Sequence, residues 1–150
     1  MKLHFRASLS EAAQKAFREL TQRYGQTHTP RSADVIVSLG GDGATLHALQ
    51  DSIRFKKPVF GLNLGHVGHF QNLYREDTDL IERIHASKTF ELSPLRSEAA
   101  RIDGSVVSRL AINEAEIFKA TGQAIHLRVF INLKFPPRKS KNLNSGKQIA

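Results

Sequence analysis

Apolar and polar residues alternate from the start of the chain, with Leu3, Phe5 and Ala7 set against Lys2, His4 and Arg6. That period of two predicts a β-strand over residues 2–7. The period then lengthens. Ala13, Phe17, Leu20 and Tyr24 fall on one helical face. Ser10 stands where its hydroxyl can cap the first turn, and Gly25 suits the C-terminal cap. Pro30 and Ser32 mark a loop. Residues 34–39 (DVIVSL) are β-branched and apolar on both faces, as in a strand buried within a parallel sheet. They run directly into Gly40-Gly41-Asp42-Gly43 and then into a helical stretch bearing Leu46 and Leu49. Residues 58–62 (PVFGL) form a second short buried strand, which leads into another glycine-rich loop over residues 61–68. Residues 77–87 read as a helix with Leu80, Ile81 and Ile84 on one face and acids in its first turn.

The strand–helix alternation predicts an α/β domain over residues 1–89, a Rossmann-like parallel sheet. The pattern changes after Thr89. Residues 91–95, 98–102, 106–112, 116–119 and 125–132 read as short strands, with Asp103-Gly104 and Thr121-Gly122 as turns between them. A boundary is therefore expected near residue 90. The first strands of an incomplete all-β domain follow it over residues 90–132. Residues 133–150 (LKFPPRKSKNLNSGKQIA) have paired prolines, many charges and no periodicity, and are expected to be a disordered basic tail.

Composition changes this picture little. An apolar share of 40% and a charged share of 24% are those of a globular protein. With no cysteine, disulfides, thiolate zinc sites and cysteine nucleophiles are excluded, which suits a cytoplasmic protein. No apolar run is long enough to span a bilayer, and the amino terminus lacks the unbroken apolar stretch of a signal peptide. The net charge of +8 invites a nucleic-acid reading. Yet five of the 22 basic residues (Lys134, Arg138, Lys139, Lys141 and Lys147) lie in the tail, leaving 17 against 14 acidic residues in the body. No nucleic-acid motif accompanies them, so nucleic acid is not an expected partner and neither is a membrane.

Three motifs carry chemistry. The first is VIVSLGGDGATL, a buried strand delivering a glycine turn to its carboxyl end, where open α/β sheets bind ligands. Glycines let backbone N–H groups approach phosphate oxygens, and the following helix directs its positive end there. Neither GxGxxG nor GxxxxGK[ST] occurs. An aspartate among such glycines either orients a metal, accepts a proton from an attacking hydroxyl, or simply caps the next helix. The second is GLNLGHVGHF, in which Gly61, Gly65 and Gly68 permit close approach and Asn63 offers both donor and acceptor. It is either a flexible connection or one wall of a cleft. Two such loops after consecutive parallel strands would lie side by side, which favours the cleft. The third is Asn113-Glu114, an amide and a carboxylate interrupting apolar strand stretches, either a plain strand end or a grip on a sugar or base edge.

In this order, GGDG, then GxNxGxxG, then Asn-Glu after a short β stretch, the chain resembles the bacterial NAD kinases over roughly residues 1–132. The flanking PVFGLNLG, DLIERI and PLRSEA agree. GGDG alone is shared with lipid kinases and phosphofructokinases. The second loop and the Asn-Glu pair point to the NAD branch.

The resemblance implies transfer of the terminal phosphate of ATP, or of polyphosphate, to the 2′-hydroxyl of the adenosine ribose of NAD. In that scheme Asp42 is the general base, and Asp42 and Gly43 touch NAD. Asn113 and Glu114 hold nicotinamide-side or ribose groups, and Asn63 lies in the binding loop. Gly40, Gly41 and Gly43 line the donor's path, and His126 falls near a basic residue that the family sets against NAD. Mg²⁺ would neutralise the donor triphosphate. The resemblance also implies a homo-oligomer.

The sequence departs from the family at Ala44, where threonine is common, and at His69, where an aromatic is usual. No match to the family's later aspartate-bearing strand or Thr/Ser/Gly-rich segment follows residue 132. A truncated or frame-shifted chain with little kinase activity and a tendency to self-associate is the corresponding expectation. Two rival classes are a lipid-kinase relative sharing GGDG and a nucleic-acid binder using the basic tail. A metal site from His66 and His69 lacks a third ligand, and solvent-facing histidines are expected there.

Overall fold

The computed structural model describes residues 1–118, 122, 124 and 146–149. Its elements in chain order are β1 (Leu3–Ala7), α1 (Glu11–Tyr24), a 3-10 turn (Pro30–Ser32), β2 (Val35–Gly40), α2 (Asp42–Phe55) and β3 (Pro58–Asn63). There follow β4 (Asn72–Leu73), α3 (Leu80–Ala86), β5 (Thr89–Leu92), β6 (Leu95–Ala100), β7 (Val106–Ala111) and β8 (Gly146–Ile149).

The helix ends form where side chains or glycine satisfy the backbone. Ser10 caps α1, its hydroxyl accepting from Ala13 N, and Gly25 ends the helix at φ 78° with its N–H donating to the Thr21 carbonyl. The helix expected over residues 77–87 starts later, at Leu80. Asp79 is the reason: its carboxylate accepts from Ile81 N and Glu82 N, fixing it as the cap.

Strands β1, β2 and β3 are parallel neighbours, in register Leu3↔Val35 and Ile36↔Val59. Period-two geometry sends Leu3, Phe5, Val35, Val37, Leu39, Phe60 and Leu62 to one face, where α1 and α3 cover them with Ala13, Ala16, Leu20, Leu80 and Ile84. Ile36 and Val59 point to the other face, against Ala48 and Leu49 of α2. This is the expected α/β sheet, covered on both sides. The strands β1, β2 and β3 step across the sheet in one direction while α1 and α2 lie on opposite faces. The two crossovers therefore have opposite hands, and one departs from the right-handed rule. The outer edge of β1 is covered locally: Gln26 accepts from Phe5 N at 2.7 Å and donates to the Phe5 carbonyl at 3.0 Å.

The second half differs from expectation in two ways. The tail expected to lack structure contributes β8, which runs parallel to β3 and antiparallel to β5. Residues 133–145 and 150 lie outside the described residues. Strand β5, expected to open the second domain, therefore joins the main sheet through β8. Only β6 and β7 stand apart, as an antiparallel hairpin from Leu95↔Ala111 to Ala100↔Val106. Its turn is the expected Asp103-Gly104, with Gly104 at φ 80° and Asp103 Oδ1 accepting from Ser105 N at 2.8 Å. Residues 116–118 form no strand, and the strand expected over 125–132 lies outside the described residues. No helix among the described residues is long and apolar enough to cross a membrane.

The cap of α3 makes an acid-sensitive joint. The Asp79 carboxyl is held below its ordinary 3.8, chiefly by the Glu82 N–H, against the opposing effect of burial, and further by the Tyr24 hydroxyl, the Ile81 N–H and Arg23. A carboxyl with a depressed pKa in the folded state stabilises the fold above its unfolded pKa and loses that contribution as pH falls through the folded value. Asp79→Asn keeps an acceptor for the helix but cannot ionise. In thermal unfolding at graded pH, the variant should lose less melting temperature than the parent on acidification below pH 3.8.

Candidate functional site at the carboxyl end of the sheet

Strand β2 ends at Gly40 and helix α2 begins at Asp42, so Gly41 alone separates them. Gly40 sits at φ 146°, and a Cβ there would lie 2.8 Å from Ser8 Oγ and 3.0 Å from Ala44 Cβ. Only glycine meets both demands. Ser8 is held in place by its own N–H, which donates to the Leu39 carbonyl at 2.9 Å. Gly41 caps α2 with its carbonyl, which accepts from Ala44 N at 3.0 Å. The N–H groups of Asp42 and Gly43 precede the first intrahelical bonds and belong to the positive end of the helix. A Cβ at Gly41 or Gly43 would meet nothing within 4 Å, so the surface over this end is open.

The second glycine loop lies against the first. Leu64 N donates to the Gly40 carbonyl at 3.0 Å. Asn63 Oδ1 accepts from Gly65 N at 2.9 Å, so Asn63 shapes the loop from within. The chain then folds back over the end of β3: a Cβ on Gly61 would meet the Phe70 carbonyl oxygen at 2.8 Å, and one on Gly68 would strike Gln71 Oε1.

Asp42 joins the two loops. Its Oδ1 accepts from His69 N at 2.9 Å and from Phe70 N at 3.2 Å, while Oδ2 has a longer contact of 3.3 Å to His69 N. It makes no capping bond to its own helix, so the simple-cap alternative does not describe it. The carboxylate is partly buried, at the first helical position of α2, with its charge facing backbone dipoles from the neighbouring loop.

Sequence reasoning missed the polar chain beneath this contact. Gln71 Nε2 donates to Thr45 Oγ1 at 2.7 Å, and Thr45 Oγ1 lies 3.1 Å from Ser38 Oγ. Ser38 and Thr45 are fully buried, one on β2 and one on α2. Ser38 within an otherwise apolar strand was the available signal.

Asn113 and Glu114 are exposed and follow the end of β7 at Ala111, in the break expected after the apolar stretch over residues 106–112. The residue before them is anchored: Ile112 packs with Leu92 against Ile36, Ala48, Leu49 and Val59. The pair therefore emerges on the face of the sheet that α2 covers, the helix that begins at Asp42. His126 lies outside the described residues. His66 and His69 are exposed, and among the described residues no three metal-binding side chains converge. A cavity of about 170 Å³, lined by Leu20, Arg23, Leu62, Tyr74, Leu80 and Arg83 among others, lies on the α1 and α3 face. Leu62 of the second motif lines it, but Gly40, Gly41, Asp42, Gly43, Asn63, Asn113 and Glu114 do not.

Residues 1–88, more than half of the chain, match the family model described as the ATP-NAD kinase N-terminal domain. The chain belongs to the NAD kinase family. Proteins named NAD kinase from Hyphomonas neptunium and Xanthomonas oryzae pv. oryzae are each 39% identical over 132 residues, covering 88% and 87% of this chain respectively. One from Rhizobium meliloti is 40% identical over 132 residues, covering 88% of the chain. The chain spans about half the length of these relatives, 51% in each case. The family match covers β1 through α3, and with them both glycine loops of this NAD kinase family member.

The two kinds of glycine at the junction separate by experiment. Gly40→Ala forces a side chain into a left-handed backbone and against Ser8, and should cost more than about 1 kcal/mol of stability. Gly43→Ala places a methyl group in open space on a helix, and should leave stability unchanged or raise it by about 0.5–1 kcal/mol. Chemical denaturation of both variants beside the parent measures the contrast.

Proposed function

We propose that the protein is an NAD kinase, transferring the terminal phosphate of ATP, or of polyphosphate, to the 2′-hydroxyl of the adenosine ribose of NAD to give NADP. One observation carries this reading: the Asp42 carboxylate stands at the opening of α2, where two glycine loops meet at the carboxyl end of the sheet. A hydroxyl placed there has a proton acceptor beside it and an open, Cβ-free surface over Gly41 and Gly43 for phosphate to approach.

In this scheme Asp42 takes the proton of the 2′-hydroxyl as its oxygen bonds to the γ-phosphorus. The bond from that phosphorus to the β–γ bridging oxygen breaks, and ADP leaves. Oδ2 is the oxygen suited to the task. Oδ1 already accepts from two amides, whereas Oδ2 has one long contact and a lone pair to spare. Asp42 and Gly43 touch NAD, and Gly40, Gly41 and Gly43 line the donor's approach. Asn113 and Glu114 hold ribose or nicotinamide-side groups from the segment anchored by Ile112, and His126 adds a basic contact. Mg²⁺ enters with the triphosphate as part of the substrate, since among the described residues no acidic or histidine cluster holds it. The cysteine-free composition suits the cytoplasm, and self-association into a homo-oligomer belongs to the same reading.

A positioned base contributes about 10²–10⁴-fold to rate. Asp42→Asn should therefore lower NADP formation by about that factor in a coupled assay. Protection of the chain by NAD against thermal unfolding should persist in the same variant. Loss of NAD protection in the parent protein would remove the basis for the proposal.

A further inference from the structure

The neighbourhood of Asp42 contains one polar side chain that neither loop motif accounts for. Gln71 follows His69 and Phe70, the residues whose amides hold the carboxylate. Its side chain reaches back under them to α2, where Nε2 donates to Thr45 Oγ1 at 2.7 Å. Thr45 stands three residues after Asp42 on that helix and is itself tied to β2 through Ser38 Oγ. Gln71 is further wedged by its neighbours. Its Cγ lies 2.9 Å from where a Cβ of Gly61 would be, so glycine at that position leaves the room it occupies. Its Oε1 is buried without a hydrogen-bond partner. Exchanging the amide's nitrogen and oxygen would instead leave the NH₂ group in that place. A purely space-filling role is better served by an apolar chain, because an unpaired buried acceptor is destabilising.

We propose that Gln71 is a positioning residue, tying the turn that follows the second glycine loop to Thr45 so that the His69 and Phe70 amides stay aimed at the Asp42 carboxylate. The closed circuit is Asp42, the His69 and Phe70 amides, Gln71, Thr45 and back along α2 to Asp42. Cutting it at Gln71 removes this turn's link to Thr45. The consequence for reaction rests on the reading of Asp42 as proton acceptor: the tether fixes which oxygen is spent on the loop and which faces a substrate hydroxyl.

Backbone amide NMR of the full chain tests the tether without turnover. Amides bonded to a carboxylate resonate downfield, so the His69 and Phe70 signals should be displaced downfield, and Asp42→Asn should move both back upfield. Gln71→Met keeps the volume and removes the orphan oxygen. It should melt at or above the parent temperature, yet lose most of the downfield displacement at both amides. Thr45→Val cuts the same bond from α2 and should give the same loss. Retention of the full displacement in both variants overturns the proposal, and so does a displacement that survives Asp42→Asn. Failure of NAD to protect the parent protein would instead count against the kinase reading and leave this result untouched.

Discussion

A strand and a helix meeting across a single residue leave the backbone very little freedom. At the end of β2 the chain turns from extended to helical through Gly40 and Gly41, with Ser8 pressed against the turn. That abruptness puts Asp42 at the first helical position, above the sheet edge, and aims its side chain away from its own helix. The backbone donors it meets are those of the chain crossing from the neighbouring strand β3. The contact of Asp42 with His69 and Phe70 is thus a consequence of the junction and of β2 and β3 being parallel neighbours in register. A longer connection would have let the carboxylate fold back to cap α2.

The first half of the molecule was legible in the sequence because its signals are local. Alternation in β1, the helical face of α1, the caps Ser10 and Gly25 and the doubly apolar β2 each follow from residues close in sequence. The adjacency of the two glycine loops followed from strand order alone. What could not be read is what depends on distant partners. The start of α3 is set by Asp79, whose carboxylate also meets the Tyr24 hydroxyl at 3.2 Å from the far end of α1. Strand β8 has no period of its own, and its place between β3 and β5 is a tertiary choice that propensity does not encode. The Gln71–Thr45 bond spans 26 positions in sequence and joins two residues that, taken singly, look like ordinary surface polars.

The Asn113-Glu114 pair shows the same division. Its presence was evident from the polar break between two apolar stretches, but whether it was a plain strand end or a grip on a ligand was left open. Strand β7 ends two residues before Asn113 because Ile112 leaves the hairpin to pack on the main sheet. Burial of that one side chain among Ile36, Leu49 and Val59 outweighs one more pair of ladder bonds in a two-stranded ribbon, which is weakly held in any case. The break in β pairing is therefore what brings the pair to the side of the sheet where α2 lies.

A carboxylate at the positive end of a helix also constrains how a phosphate donor can approach. Helix amino termini attract phosphate, but here a carboxylate already stands at that end, bonded to two amides of the neighbouring loop. A bare phosphate charge brought within about 4 Å of that carboxylate would meet a repulsion of about 4 kcal/mol at the effective dielectric of a protein surface. In the proposed reaction the donor could occupy the open side over Gly41 and Gly43 only with its own charge offset, as a triphosphate-bound divalent cation would do. A neutral hydroxyl meets no such barrier at the carboxylate. In the proposed reaction the electrostatics of the junction would sort the two substrates, directing the sugar hydroxyl to Asp42 and the metal-bound phosphates to the glycine face beside it.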